Sequence, residues 1–333
     1  MTRTILLMAA LVASAPAFAQ TKTGTTFGQF LLIEPDAAIA AQGNVGATAR
    51  SNAMAAYYNP GALGAQTSSN AGFSHSTWLA DIDYNYATVA LKMGSASTVS
   101  LSVQSLSSGD IDVRTTDQPL GTGERYSVED LAIGIGFGRQ FTDRFSAGAQ
   151  VKYVQETIWR SSARTVALDA GVIYELPFRA ILGASISNFG LPTSFNGTDL
   201  RIRFDQDPDT FGDNDNLPAA LETDEYALPV SFRVGMSVPV QMGDSRVTLA
   251  ADAYQPSDNS NSISVGGEWT YANLISARAG YQDLFLEDGE GGLRLGGGLQ
   301  YRASGFDITF DYAWGDHGQR LGSTQRFTLG IGF

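Results

Sequence analysis

The sequence contains no cysteine, so neither a disulfide framework nor a thiolate metal site is available to it. It has only two histidines, His75 and His317, both near the ends of predicted strands, and we predict no catalytic residue. Lys and Arg number 21 against 34 Asp and Glu, a formal net charge of -13 at pH 7. Because binding to phosphates needs a basic face, nucleic acid is excluded as a partner.

Long hydrophobic runs are also missing after the first residues, and none approaches the roughly 18 to 20 apolar residues of a membrane-spanning helix. The first 19 residues are typical of a signal peptide, with Arg3, an apolar run over 5–12 and the small-x-small pattern at 17–19. An exported chain without such helices is either a soluble all-β protein or an outer-membrane barrel. The 37 glycines, beside 13 Tyr and 18 Phe, favour the barrel.

Strict alternation of apolar and polar residues is the main structural signal, and it is clearest at the end of the chain. In "RFTLGIGF" the residues Phe327, Leu329 and Ile331 share one face, while Arg326 and Thr328 share the other. In an outer-membrane barrel the apolar face meets lipid and the polar face lines the interior. A soluble β-sandwich or propeller is disfavoured, because a sheet in water would not expose such a face on strand after strand.

The alternating segments number about fourteen, an even number as bacterial single-chain barrels require. They are predicted at 70–79, 83–93, 97–106, 127–139, 143–156, 162–175, 178–188, 227–239, 245–255, 261–271, 274–283, 291–302, 305–315 and 323–333. The short connections all fall at the end where the chain stops, and the long ones (107–126, 189–226 and 284–290) at the other. We therefore predict an all-β fold, a transmembrane antiparallel β-barrel over residues 69–333 of the bacterial outer membrane, surrounded by outer-membrane lipid.

Charges of both signs occupy the polar phase of these strands and are predicted to face the lumen. They are Lys152, Asp169, Arg233, Asp252, Arg294, Asp307, Asp311 and Arg326. Such charges either line a conduit or pair with one another and with whatever fills the barrel, and we favour pairing.

Residues 20–68, between the signal peptide and the first strand, show no strand alternation. Pro35 and Asp36 precede a helix-like "AAIAA" that Gly43 can stop, and Asn52 can cap "AMAAYY" before the Asn-Pro-Gly turn at 59–61. A segment this apolar most simply packs inside the lumen. We predict a short N-terminal helical plug that fills a lumen wide enough to hold water.

The plug segment carries motifs by which the chain resembles the PorV/PorQ family of outer-membrane proteins, associated with type IX secretion and related to the FadL-like transporters. The residues that carry the resemblance are Phe30, Ile33, Pro35, Asp36, Gly43, Gly46, Tyr58, Asn59, Pro60 and Leu63. The resemblance implies a plugged, non-enzymatic barrel without a cofactor. It also implies secretion-system proteins and exported cargo as partners: cargo is received through its C-terminal signal domain and carried to surface attachment.

Two alternatives to the secretion role stay open. The FadL relationship implies a transporter of hydrophobic small molecules, in which Phe30, Leu31, Leu32 and Tyr57 of the plug would touch an apolar ligand. The third reading is a structural barrel that anchors surface proteins.

The long connection 189–226 is unusually rich in large apolar residues, which suggests a lid over the barrel mouth or a docking surface. Its candidate docking residues are Phe195, Phe204, Phe211 and Leu217. Asp205, Asp207 and Asp209 alternate as calcium ligands do, but the EF-hand pattern fails in this loop, where Thr210 replaces its Gly and Asn216 its Glu. We therefore favour a solvated acidic loop without a metal, and weak calcium binding by these three aspartates stays as the alternative.

Overall fold

A computed structural model describes residues 24–49, 52–207, 209, 216–286, 289 and 291–333, and the predicted signal peptide lies outside these residues. Fourteen long strands dominate the described chain. They are β1 (Asn70–Thr77), β2 (Asp83–Met93), β3 (Ser97–Ser107), β4 (Val128–Thr142), β5 (Phe145–Ile158), β6 (Ser161–Glu175), β7 (Ile181–Gly190), β8 (Ser231–Met242), β9 (Ser245–Pro256), β10 (Ser262–Tyr271), β11 (Ile275–Leu284), β12 (Leu293–Ala303), β13 (Phe306–Asp316) and β14 (Ser323–Gly332).

Every long strand pairs antiparallel with its neighbours in sequence, and β14 pairs with β1 in the register from Asn70 opposite Gly332 to Thr77 opposite Gln325. The sheet is therefore a closed barrel of fourteen strands, as the alternation predicts. The side chains of β14 follow the expected phase, because Leu329 is exposed on the outer face and Thr328 is buried inside.

The two ends of the barrel differ in their connections. One end, called the turn end, carries only short turns, at 94–96, 143–144, 176–180, 243–244, 272–274 and 304–305. The opposite end, called the loop end, carries the long connections 108–127 and 191–230. A two-stranded hairpin rises from each: Ile111–Asp112 with Arg125–Tyr126, and Arg201–Phe204 with Leu217–Ala220.

Two strands begin three and four residues later than the sequence predicts, the largest differences at any strand start. Strand β7 begins at residue 181 because the Leu176 N–H donates to the Ala180 oxygen (2.7 Å) and closes a turn in which Arg179 has a φ of 66°. Strand β8 begins at residue 231 because Leu228 turns inward and is buried, while the Ala227 oxygen accepts from Phe27. In both cases a local turn or an inward contact replaces the strand pairing.

Short helices precede β1 and lie inside the barrel. A 3-10 turn at Gln29–Leu32 is followed by α1 (Ala37–Ala40), α2 (Ala55–Tyr58) and α3 (Gly61–Gly64), of which α3 has no counterpart in the sequence prediction. A further helix, α4 (Gly318–Leu321), lies at the loop end. Within the described ranges, no helix has the length and apolar character needed to cross a membrane.

Candidate functional site

The plug, defined as residues 24–66 as far as they are described, runs through the lumen from one end of the barrel to the other. Near its start, at the loop end, the Gly28 N–H donates to Glu156 Oε1 (2.7 Å). Just after its end, at the turn end, the Ser69 oxygen accepts from the Phe333 N–H (2.8 Å). The segment is therefore held at both mouths of the barrel.

Helix α1 begins at Asp36, which is fully buried and accepts a hydrogen bond from the Ala38 N–H (2.9 Å), as an N-cap does. Its other carboxylate oxygen accepts from Asn52 Nδ2 (3.2 Å), which precedes α2. One side chain thus ties two turns of the plug together. The first helical N–H, that of Ala37, donates to Thr328 Oγ1 on the barrel wall (2.9 Å).

The Asn-Pro-Gly turn fastens the plug to the wall. The buried Asn59 amide donates to the backbone oxygens of Ala47 (2.7 Å) and Val172 (3.0 Å), and its Oδ1 accepts from the Gly61 N–H (2.9 Å). Because these backbone groups are away from water, the side chain satisfies polar atoms that would otherwise be costly to bury.

Glycines of the wall make room for this turn. A Cβ at Gly148 would collide with the oxygen of Pro60, one at Gly171 with Asn59 Oδ1, and one at Gly183 with the oxygen of Ala47. The plug backbone therefore approaches the wall closer than any side chain would permit.

The family motif contains two plug glycines, and each position requires glycine for a different reason. Gly43 has a φ of 74°, and a Cβ there would lie 2.9 Å from both the Tyr281 N and the Val265 oxygen of the wall. Gly46 faces the ring of Tyr58, which leaves no space for a side chain. All ten motif residues lie in the plug and are buried.

The loop-end half of the lumen is filled by apolar side chains. Phe30 and Ile33 belong to one buried cluster with Leu228, and their backbone oxygens accept from Gln104 Nε2 (2.7 Å) and the Tyr84 hydroxyl (2.9 Å). Wall side chains thus hydrogen-bond the plug backbone while its apolar side chains pack around it.

Most of the predicted lumen charges form buried ion pairs. Lys152 Nζ lies 2.8 Å from Asp169, and Asn188, at a bulge in β7, donates its N–H to the same carboxylate (2.7 Å). Arg233 lies 3.3 Å from Asp252. Both pairs join neighbouring strands, so each buried charge lies beside an opposite charge.

Other predicted charges have partners in the plug or elsewhere on the wall. Arg326 lies 3.6 Å from Glu34 of the plug, and Arg294 donates to Gln282 (3.0 Å). Asp307 differs from the rest, because it sits at the turn end, 38% exposed, beside Arg302.

Asp311 pairs with Arg278, which on its other side lies 2.7 Å from Glu268. Neither Arg278 nor Glu268 is among the predicted site residues. The signal was present, since Arg278 alternates with the alanines at 277 and 279 and therefore faces inward.

These charges border a polar cavity of about 680 Å³ in the turn-end half of the lumen, called the vestibule. It lies between the plug, at Gln42 and Thr48, and the wall, at Arg246 and Arg278. The plug therefore fills the lumen tightly near the loop end and leaves polar space near the turn end.

The connection 191–230 covers the start of the plug. Phe195 stacks edge-on against Phe27 (centroids 6.3 Å apart) and Tyr226 (6.4 Å). Phe204 pairs with Leu217 in the hairpin and is 49% exposed, whereas Phe211 lies outside the described residues. Of the four candidate docking residues, Phe195 is thus turned inward and Phe204 outward.

The histidines take part in ordinary contacts. His75 Nδ1 lies 2.9 Å from Asn85 Oδ1, and His317 Nε2 lies 2.9 Å from Thr324 Oγ1. Burial, followed by the charge of Arg294, lowers the pKa of His317 to about 4, so its ring is neutral at pH 7.

The acidic loop shows no metal arrangement in the part of it that is described. Asp207 and Asp209 are exposed and Asp205 is partly buried, and Asp205 Oδ1 accepts from the Asp207 N–H (3.0 Å). Nowhere among the described residues do three or more His, Asp or Glu side chains come together as metal ligands would.

Comparison with known proteins supports the resemblance stated from the sequence. A family model described as "Type IX secretion system protein PorV" matches residues 17–174, which include the whole plug and strands β1 to β5. The chain is therefore similar to the PorV family over this range. No curated protein matches the chain.

Solved structures share the fold. The toluene transporter TodX of Pseudomonas putida is 14% identical, with a TM-score of 0.57 over 90% of this chain and 98% of that one. A FadL homologue of Pseudomonas aeruginosa is 12% identical (TM-score 0.57, 90% and 98%). The toluene transporter TbuX of Ralstonia pickettii is 11% identical (TM-score 0.56, 90% and 98%). At these identities the likeness shows the fold alone: the chain shares the barrel fold of the FadL homologue and of the two toluene transporters.

Proposed function

We propose that this outer-membrane barrel serves type IX secretion: it receives exported proteins through their C-terminal signal domain and carries them to surface attachment. The likeness to the PorV family gives the secretion role its basis. One observation favours a function at the barrel surface over passage through the lumen: buried hydrogen bonds, such as those of Asn59, anchor the plug. A solute would have to break these bonds to pass, whereas a docked protein would not. We propose no catalytic role.

The hairpin of residues 201–204 and 217–220 is the surface that we assign to protein contact. It rises from the loop end, and among the described residues its two strands pair only with each other. It exposes Ile202 and Phe204, with Leu221 next to it. Exposed apolar side chains on a hairpin outside the membrane favour a protein partner, because lipid does not cover them there.

A purification from the native outer membrane in mild detergent, with mass spectrometry of co-purifying proteins, tests this role. We expect the wild-type chain to bring down secretion-system proteins, or exported proteins that share a C-terminal β-domain. The double variant Ile202→Ser, Phe204→Ser should lose them. Leu120→Ser, at a 95% exposed leucine of the other long connection, is the matched control and should keep them. Equal recovery from all three proteins would contradict the assignment of the hairpin.

The competing function is transport of an apolar small molecule, and one observation favours it. Phe30 and Leu31 lie with Leu228 in an apolar cluster beneath the connection that covers the barrel mouth. The cluster is packed in this structure, so a ligand would have to displace part of it. Extraction of the same preparation for lipids distinguishes the two functions. If the barrel is recovered without partner proteins but with a stoichiometric apolar molecule, the secretion role is wrong and transport takes its place.

A further inference from the structure

A groove lined by arginines lies on the loop-end rim of the barrel, between β6 and the connection 191–230. Arg160, Arg164 and Arg201 line it, and the space between them measures about 560 Å³. Ser162 and Asn196 add polar side chains to the lining, which includes no carboxylate. In a protein with a net charge of -13, three converging arginines concentrate positive charge at one place.

The position of this arginine groove on the membrane rim is set by β6. On its outer face Arg164 continues the row of Val166 and Leu168, which are exposed apolar residues of the lipid-facing wall. Leu191, also exposed, lies close by, because Thr165 Oγ1 donates to its backbone oxygen (2.9 Å). Arg164 thus stands where the apolar wall ends and headgroups begin, a depth at which arginine side chains extend toward phosphate.

The guanidinium groups are available to a ligand. Within the described residues, no acidic side chain lies within ion-pair distance of Arg164 or Arg201. Arg160 lies 3.9 Å from Glu124, but both side chains are largely exposed, and such a pair contributes little. The nearby Asp199 carboxylate accepts from the Arg160 backbone N–H (3.1 Å) and is not part of the groove lining.

We propose that the arginine groove binds a phosphate group. Arginine presents a planar fork of donors that matches phosphate oxygens, and charge-assisted bonds of this kind are stronger than neutral ones. The Ser162 hydroxyl and the Asn196 amide add donors for the remaining oxygens. The phosphate is either that of a lipid headgroup in the outer leaflet or a free phosphate ion, since the same donors recognise both. The inference does not rest on the secretion role.

The test uses the full-length protein in mild detergent with three probes: lipid A with two phosphates, the same lipid after dephosphorylation, and inorganic phosphate. Native mass spectrometry measures the lipids, and ³¹P NMR measures the ion. We expect the phosphorylated lipid or the ion to bind, and the double variant Arg164→Gln, Arg201→Gln to weaken binding by about tenfold for each arginine removed. Arg139→Gln is the matched control, because Arg139 is exposed on β4 at the opposite end of the barrel.

The outcomes separate the two phosphate sources. Binding of the phosphorylated lipid that far exceeds binding of the ion assigns a headgroup, and comparable binding of the ion assigns free phosphate. Equal binding of the phosphorylated and dephosphorylated lipids without binding of the ion would overturn the proposal. So would a double variant that binds as well as the Arg139→Gln control. Heat-induced mobility shifts on gels verify that every variant is a folded barrel.

Discussion

Arg233 and Asp252 form an ion pair of 3.3 Å between two neighbouring strands, and each also holds the plug. Arg233 donates to the Asn44 oxygen (2.6 Å), and Asp252 accepts from the Ala47 N–H (2.9 Å). The pair therefore joins two strands of the wall to two positions on the plug backbone. Wall and plug share one set of buried charges, so removal of either partner affects both.

Asp252→Asn should destabilise the barrel by about 3 to 5 kcal/mol, because it leaves the buried charge of Arg233 uncompensated. Urea unfolding from lipid vesicles measures the loss. Asp307→Asn is the control, since its partner Arg302 is exposed and the expected loss is about 0 to 1 kcal/mol. Equal losses in the two variants would show that the buried pair has no special part in stability.

Gly183→Ala should detach the plug from the wall without unfolding the barrel. Its Cβ would overlap the oxygen of Ala47, and a plug held by hydrogen bonds yields before a continuous strand ladder does. Hydrogen exchange should rise by at least tenfold over residues 44–49 and remain low in β6 and β8. Gly332→Ala, where the nearest neighbouring atom is 3.7 Å from the new Cβ, should leave plug exchange unchanged. Unaltered exchange in Gly183→Ala would contradict the close approach.

His317 should make the stability of the loop end sensitive to acid. Its pKa is lowered from 6.5 to about 4 by burial and by Arg294, so the unfolded chain binds the proton more readily than the folded one. The stability that depends on a neutral ring is fully present above about pH 6.5 and is lost as the pH falls toward 4. Unfolding experiments across this range should give a shallower pH dependence in His317→Gln. An identical profile in the variant would assign the acid sensitivity to other groups.

The strands were predictable because each one alternates against a lipid-facing wall, and that pattern needs no knowledge of distant partners. The late starts of β7 and β8 were not predictable, since they depend on a turn at Arg179 and on the contact of Leu228 with the plug. Helix α3 escaped prediction because "GALG" has two weak helix formers. It is stabilised by the wall, where Ser146 Oγ donates to the Gly61 oxygen (2.9 Å).

The same alternation predicts that the lumen charges face inward, but it does not predict which residues they pair with. Glu34 lies in the plug and meets Arg326 near the other end of the chain, a contact that only the closed barrel creates. Phe195, a predicted docking residue, also contacts Phe27, and the sequence does not show that contact. The partners of Glu34 and Phe195 are distant in sequence, so the pattern of a single strand cannot predict them.

A disulfide between plug and wall tests most directly whether the plug stays in place while the barrel works. The Ala37 backbone N lies 2.9 Å from Thr328 Oγ1, so Ala37→Cys and Thr328→Cys place the two thiols at a point where plug and wall are in contact. The natural chain has no cysteine to compete, and each single variant serves as a control. Secretion of exported cargo to the cell surface should continue at the wild-type level with the bridge formed. Loss of secretion in the bridged protein, restored by reduction, would contradict the account.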